Sequence, residues 1–184
     1  MLNFPRAISR ICLLSMIVVL LNACSASSAG LNTFQSNDGR YGFLYPTGWI
    51  RVEVNGGPKV VFHDLINSDE TLSLVISKLD ENSGLENVGT PREVGERLLD
   101  GVIAPGGSGR DAVLIDAQSR DYQGHIYYDI EYTLDLRNKV RHELTTVAVD
   151  RGRLYTLAMG TSEDRWPRVK VLFEKVISSF TFLI

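Results

Sequence analysis

The stretch "HIYYDIEYTLDLRNKVRHELTTVAVDRGRLYTLAMG", residues 125–160, decides the fold of this chain. Apolar and polar residues alternate through 125–136 with the period of two that marks a β-strand. One face carries Ile126, Tyr128, Ile130, Tyr132, Leu134 and Leu136, and the other carries His125, Tyr127, Asp129, Glu131, Thr133 and Asp135. Two similar runs follow at 140–150 and 153–160, separated by the turn Asp150-Arg151-Gly152. The stretch therefore predicts three consecutive antiparallel strands joined by hairpins.

A three-residue hairpin loop at 137–139 sets the predicted register of the first two strands. This register places opposite charges and apolar residues across from each other, as favourable cross-strand neighbours are placed. The predicted pairs are Asp135 with Arg141, Leu136 with Val140, and Leu134 with His142. His142 is thereby expected on the apolar face of the sheet.

Five further segments show strand patterns, and turn residues such as Gly, Pro, Asn and Asp separate most of them. They are "RYGFLYP" (40–46), "WIRVEV" (49–54), "KVVFHDL" (59–65), "TLSLVISKL" (71–79) and "AVLIDAQSRDY" (112–122). Together with the three strands above, they predict about eight strands joined mostly as hairpins.

A helix is predicted over 88–102, where the hydrophobic period changes. Thr90 as N-cap, Pro91 at the first helical position and Glu93 completing a capping box give a strong start signal. The residues expected near one side of this helix are Val94, Leu98 and Val102.

A second helix is predicted over 162–180, with Ser162 as N-cap or with a true start near Pro167. Its apolar stripe consists of Trp166, Val169, Phe173, Val176, Ile177 and Phe180. Such a stripe is typical of a helix docked on a sheet. The whole pattern predicts the α+β class, with a central antiparallel β-sheet flanked by helices.

The N-terminal segment has the layout of a secretory signal: two arginines without an acidic residue, an apolar run over 11–21, and small polar residues after it. Leu21-Asn22-Ala23-Cys24 resembles a bacterial lipobox. We therefore predict a lipoprotein signal peptide over 1–23, a lipidated Cys24 and a flexible tether over 24–37. An ordinary signal peptide followed by an unpaired thiol is the alternative.

Removal of 1–23 leaves 161 residues, with 17 basic against 22 acidic side chains and a net charge of −5. That length suits one domain, predicted over 38–184. The negative charge argues against a nucleic-acid partner, because phosphate recognition depends on a positive surface. Cys12 leaves with the predicted signal peptide, so the mature chain has no internal disulfide and depends on its core.

Five segments, in order over 38–180, carry a resemblance to a known family. They are "DGRYGFLYPTGW" (38–49), "GTPREVGERLL" (89–99), "YYDIEYTL" (127–134), "RHELTTVAVDRGRLYTLAMGTSEDRW" (141–166) and the spacing of Phe173, Val176, Ser179 and Phe180. The chain resembles the PsbP family of photosystem II extrinsic proteins. The resemblance implies a PsbP-like α/β/α sandwich on the lumenal side of the thylakoid membrane, and the lipobox is typical of the cyanobacterial lipoprotein branch.

The function that this resemblance implies is that of a lumenal photosystem II accessory protein. Plant members bear an N-terminal extension on which calcium and chloride retention depends, whereas this chain is expected to begin with a lipidated Cys24. We therefore expect a membrane-tethered assembly or stabilising factor, a monomer that binds photosystem II subunits. Direct ion retention at the oxygen-evolving cluster is one alternative, and an exported lipoprotein that binds a small ligand or divalent metal is another.

Two sets of residues are candidate sites. The resemblance pairs His142 with Glu163, which would offer ligands to calcium, manganese or zinc; a core histidine that hydrogen-bonds the backbone is the other interpretation. Arg137, Lys139 and Arg141, around the predicted hairpin, are candidates for docking on acidic lumenal surfaces. No nucleophile with a credible base is apparent in the sequence, so an enzyme is not expected, and no motif requires a cofactor.

Overall fold

The computed structural model describes residues 30–79 and 84–183. Its strands are β1 (Leu31–Gln35), β2 (Tyr41–Pro46), β3 (Trp49–Val52), β4 (Val60–Asp64), β5 (Thr71–Lys78), β6 (Asp111–Tyr122), β7 (His125–Asp135), β8 (Val140–Asp150), β9 (Arg153–Ser162) and β10 (Thr181–Phe182). Its helices are α1 (Leu85–Val88), α2 (Pro91–Leu98), which continues into a π-helical turn (Leu99–Ile103), and α3 (Trp166–Ser178).

Seven strands form one antiparallel sheet in the order β3-β4-β5-β9-β8-β7-β6. All eight strands expected from the sequence are present, and the α+β class with a central antiparallel sheet is confirmed. The period-two pattern located these strands because at least one face of each strand carries apolar side chains that pack against a neighbouring layer.

The predicted register of the β7–β8 hairpin is wrong by one residue. The Leu136 N–H donates to the Lys139 carbonyl at 2.9 Å, which closes a two-residue loop instead of a three-residue one. The first loop residue, Arg137, has φ of 74°, a conformation that such tight hairpin turns require. Sequence pattern alone did not reveal that an arginine adopts it.

This change moves His142 to the other face of the sheet from the one expected. The observed pairs are Asp135 with Val140, Leu134 with Arg141, and Thr133 with His142. His142 therefore shares a face with Thr133 and Glu131, the side that the alternation had marked as polar. That face is covered by α3 instead of being fully solvated.

A second sheet has the order β1-β2-β10. The tether predicted over 24–37 is wrong for residues 31–35, which form β1. Leu31 is buried and the Phe34 ring stacks on Phe43 with centroids 4.7 Å apart, so two apolar residues are enough to hold this otherwise polar segment. The predicted signal peptide over 1–23 and Cys24 lie outside the described residues.

The start of α2 is confirmed. Thr90 Oγ1 accepts from the Glu93 N–H, and the Glu93 carboxylate accepts from the Thr90 N–H, which completes the capping box. The expected apolar side is only partly correct: the π-helical turn buries Leu99 and leaves Val102 66% exposed. The extra residue in that turn rotates the positions after it away from the sheet.

The last helix begins at Trp166, with Pro167 in its first turn, so the later of the two expected starts is correct. Ser162 does not cap the helix, because it is the last residue of β9. The whole predicted stripe is buried. It packs between the two sheets in a cluster that also holds Tyr41, Phe43 and Trp49.

The opposite face of the large sheet is covered by α1, α2 and the π-helical turn. A second apolar cluster there contains Leu85, Val94, Leu99, Tyr128, Ile130, Tyr132 and Val147. Both faces of β7 are thus packed, which explains why Tyr127 and Tyr128, neighbours in sequence, are both buried. Among the described helices, none is long and apolar enough to span a bilayer.

Candidate functional site

The candidate site is built around His142, which is 4% exposed on β8. Its imidazole lies flat on the Trp166 indole, with centroids 3.9 Å apart and the planes 12° from parallel. Trp166 occupies this place because α3 begins directly after the β9–α3 turn, beside the start of β8. The sequence resemblance singled out His142, but not its aromatic neighbour.

Both ring nitrogens of His142 meet carboxylates. Nδ1 lies 2.7 Å from Glu163 Oε2, and Nε2 lies 2.7 Å from Glu131 Oε1. Glu163 is held there by its own N–H, which donates to the Val140 carbonyl at 3.0 Å. A neutral imidazole donates from one nitrogen only, so both contacts are hydrogen bonds when the ring is the doubly protonated imidazolium.

A lysine on α3 adds to this charge arrangement. Lys170 Nζ is 3.8 Å from Glu131 Oε1 and 5.7 Å from the centroid of the Trp166 ring. Glu131 is therefore shared by the Lys170 ammonium and the His142 imidazole, and its side chain is mostly buried. Glu163, by contrast, has half of its side-chain surface exposed and forms the solvent side of the site.

The expected pairing of His142 with Glu163 is present, but its geometry is that of an ion pair. With both nitrogens directed at carboxylates, neither lone pair is available to a cation in this arrangement. Within residues 30–79 and 84–183, no group of three or more His, Cys, Asp or Glu side chains is placed to hold a metal ion. The metal prediction for His142 and Glu163 stays a prediction, and binding would require at least one carboxylate to move.

A second ion pair lies on the opposite face of β8 and is also largely buried. Arg141 Nε donates to Glu143 Oε1 at 2.6 Å, and the same guanidinium reaches the Asp69 carbonyl at 2.8 Å and Thr71 Oγ1 at 3.2 Å. Burial raises the pKa of the Glu143 carboxyl above its ordinary value, although the Arg141 charge opposes this. Gly160 on β9 makes the arrangement possible, because an added Cβ would overlap the Glu143 carboxylate.

The three candidate docking residues differ in how exposed their side chains are and in which partners they already have. Arg141 is internal, with 14% of its side chain exposed and its donors engaged, so the prediction that it docks a partner is corrected. Lys139 forms an ion pair with Asp69. Arg137 is exposed and donates from Nε to the Gly109 carbonyl at 3.3 Å. Docking by Arg137 and Lys139 stays a prediction.

Glu131 was not expected as a partner of His142, because the predicted register places the two residues on opposite faces. In the observed register, His142 is paired with Thr133, two residues from Glu131 on the same face. A correct turn assignment at Arg137 and Asn138 would have been the signal that brought the two together.

Among the depressions on the described surface, we consider one on each face of the large sheet. A groove of about 510 Å³ lies between β6, β7 and α3, and its lining includes Asp116, Asp129, Glu131, Glu174 and Lys175. On the other face, an apolar cleft of about 200 Å³ is lined mainly by Val88, Val94, Leu98, Val102, Val147 and Leu154. The apolar cleft is smaller than the roughly 300 to 1,000 Å³ that small-molecule pockets usually have.

Comparisons with known proteins agree with this architecture. The chain is 43% identical to "CyanoP" of Thermosynechococcus vestitus, over 91% of this chain and 94% of that protein. It is 34% identical to "PsbP-like protein 1, chloroplastic" of Arabidopsis thaliana, over 89% of this chain and 70% of that protein. The solution structure of CyanoP from Synechocystis sp. superposes with a TM-score of 0.73 at 41% identity and covers 89% of this chain and 99% of that one. The PsbP family profile matches residues 29–182, and the chain therefore belongs to the PsbP family.

Proposed function

We propose that this protein is a lumenal photosystem II accessory factor of the cyanobacterial lipoprotein branch, tethered to the thylakoid membrane. The observation that carries the proposal is the match to CyanoP, which extends over nearly the full length of both chains at 43% identity. The PsbP family profile, which matches residues 29–182, extends over every described element of the fold. We further propose that the protein assists assembly or stability of the complex.

The geometry of the site supports a binding role over a catalytic one. Both nitrogens of His142 are engaged by carboxylates, so the ring is not placed to take a proton from a nucleophile. Its stacking on Trp166 also fixes its orientation. The histidine therefore ties β7, β8 and the start of α3 together, which is what a surface that must keep its shape requires.

The cavities argue against the alternative of a small-ligand lipoprotein. The groove between β6, β7 and α3 carries four carboxylates among its lining side chains, which is unlike the mostly apolar lining of small-molecule sites, and the apolar cleft is small for a metabolite. Another relative, "Photosynthetic NDH subunit of lumenal location 1, chloroplastic" of Arabidopsis thaliana, is 28% identical over 61% of that protein. The higher identity and fuller coverage of CyanoP favour photosystem II over that second complex.

Deletion of the protein tests the assembly role. We expect mature photosystem II in the deletion strain to evolve oxygen in replete medium, while the complex accumulates more slowly and recovers later from photodamage. The tagged protein should co-purify with assembly intermediates in preference to mature dimers. Stoichiometric presence in every active dimer, with oxygen evolution lost at low calcium on removal, would instead identify an ion-retaining subunit.

A further inference from the structure

Three features lie at one end of the large sheet: the loop β4–β5 (65–70), the hairpin loop β7–β8 (136–139) and the first residue of β1. Leu31, the first residue of β1, pairs with Pro46, and a two-residue turn leads from Pro46 to Trp49. Trp49 in turn pairs with Asp64, the last residue before the loop β4–β5. Paired residues lie about 5 Å apart, so Leu31 and this loop belong to the same end. We call it the anchor end.

The loop at the anchor end exposes two large aliphatic side chains. Leu65 is 63% exposed and Ile66 is 90% exposed, the latter the most exposed large hydrophobic residue among those described. Single exposed apolar residues are ordinary on protein surfaces, but two consecutive ones at the tip of a loop cost solvation free energy unless something covers them.

The loop is braced instead of mobile. Asp64 Oδ1 accepts from the N–H groups of Ile66 at 2.6 Å and Asn67 at 2.9 Å, and the Asp64 N–H donates to the Glu70 carbonyl at 3.1 Å. Although burial raises it, these backbone hydrogen bonds hold the pKa of the Asp64 carboxyl below its ordinary value. The turn therefore fixes Ile66 with its side chain pointing outward.

Charged pairs join this loop to its neighbours. Asp69 forms an ion pair with Lys139 of the hairpin, and buried Glu70 binds Arg165 at 2.5 to 2.6 Å just before α3. These contacts restrict the motion of the loop and pair its two carboxylates with cations of the same domain. The anchor end consequently exposes the side chains of Leu65 and Ile66 on a loop that hydrogen bonds and ion pairs hold in place.

The chain connection limits how far this end can be from the predicted lipid. Six residues lie between Cys24 and Leu31, and the seven Cα-to-Cα steps of a fully extended chain span at most about 25 Å. A lipid at Cys24 thus keeps Leu31, and with it the anchor end, within about 25 Å of the bilayer surface, whatever path the connecting residues take.

We infer that Leu65 and Ile66 enter the interface of the bilayer and orient the domain with its anchor end against the lipid. The inference rests on the lipid anchor of the proposed function and adds a second, non-covalent contact. Apolar side chains at the headgroup boundary gain the free energy of leaving water, roughly tenfold in partitioning for each fully buried one. Lys139 and Arg165 are paired within the protein, and the exposed Arg137 meets no net charge on a phosphatidylcholine surface, so the contact depends on burial of apolar surface and should be insensitive to salt.

The test uses the mature lipidated chain, whose lipid is first verified by mass, in vesicles of phosphatidylcholine. Ile66→Cys supplies a single free thiol for an environment-sensitive fluorophore, and Tyr122→Cys is the matched control. Tyr122 is 47% exposed and lies at the far end of β6, about 35 Å along the sheet from the anchor end.

We expect the label at position 66 to shift to shorter wavelength and to be quenched by nitroxide-bearing lipid, with no change between low and high salt, while the label at position 122 stays as in water. Equal emission at the two positions would overturn the inference, as would shielding of position 66 only when photosystem II membranes are added, because the occupant would then be a protein. A chain without lipid at Cys24 removes the premise and the inference with it. A deletion phenotype in assembly would leave the proposed function standing in each of these cases.

Discussion

Substitution of Gly160 on the central strand β9 by alanine tests the buried ion pair of Arg141 with Glu143. The backbone there is not in the left-handed region, so alanine is permitted by conformation and only its Cβ conflicts, with the Glu143 carboxylate. That carboxylate is the outer end of a side chain, but it is buried and held at 2.6 Å by Arg141. To make room it must give up this charge-assisted hydrogen bond.

The expected loss of stability depends on which contacts of Arg141 and Glu143 are broken and which are kept. Breaking a charge-assisted hydrogen bond costs about 1.5 to 3 kcal/mol, and a buried charge left without its partner adds to it. Arg141 keeps its contacts to the Asp69 carbonyl and Thr71 Oγ1, which limits the loss. We expect Gly160→Ala to lower the free energy of unfolding by about 2 to 3 kcal/mol, or the melting temperature by roughly 5 to 10 °C.

Chemical denaturation of four variants decides whether this reasoning is correct. In a Glu143→Ala background the obstacle is absent, and Gly160→Ala should be neutral or stabilise by up to about 1 kcal/mol through reduced unfolded-state entropy. Gly106→Ala serves as the control, because a Cβ there meets nothing within 4 Å. Equal destabilisation by Gly160→Ala with and without Glu143 would refute the argument.

Four further predictions concern stability, pH, the anchor and metal. Phe173 is fully buried, with Trp49 and Trp166 edge-on at about 6 Å. Phe173→Ala should lower the free energy of unfolding, measured in urea, by about 3 to 5 kcal/mol, and an unchanged midpoint would contradict the placement of α3. The pKa of Glu143 is raised on folding, so its protonation contributes stability that is present below pH 4.5 and is lost as pH rises through the folded pKa. As pH falls toward 4.5, the free energy of unfolding of the wild type should therefore increase relative to that of Glu143→Gln. Parallel pH profiles of the two proteins would argue against this. Intact mass should show diacylglycerol on Cys24, and Cys24→Ala should release the protein from membranes; unmodified protein in the soluble lumen would exclude the anchor. If a divalent metal binds at His142, zinc, manganese or calcium should raise the melting temperature of the wild type and not that of His142→Phe, and equal shifts would place any metal elsewhere.

The sequence predicted the parts of the fold that depend on local pattern. Alternation located eight strands, and the Thr90–Glu93 capping box located the start of α2, because each signal involves residues close in the chain. The strand β1 was missed because its sequence is mostly polar, and the contact of Phe34 with Phe43 that holds it is not a local property. The π-helical turn after α2 likewise has no reliable sequence signature.

The candidate site was only half predictable, and the reason is one dihedral angle. The resemblance supplied His142 and Glu163, which the structure places 2.7 Å apart. Glu131 depended on the register of the β7–β8 hairpin, which the positive φ of Arg137 sets. Since a slip of one residue exchanges the faces of a strand, an error at the turn removed a carboxylate from the predicted site.

Three buried charged contacts concentrate at the anchor end: His142 with Glu131, Arg141 with Glu143, and Arg165 with Glu70. Buried ion pairs add little net stability, since desolvation offsets most of their attraction, but a mispaired arrangement leaves an uncompensated charge and is strongly disfavoured. Their effect is therefore to select one geometry. The remaining core is aromatic and aliphatic and could tolerate some repacking, whereas this end could not. The lipid anchor that we propose would hold the domain close to a membrane, where it needs a defined shape, and the contacts of Arg141 with Asp69 and of Arg165 with Glu70 lie where they fix the loop that carries Leu65 and Ile66.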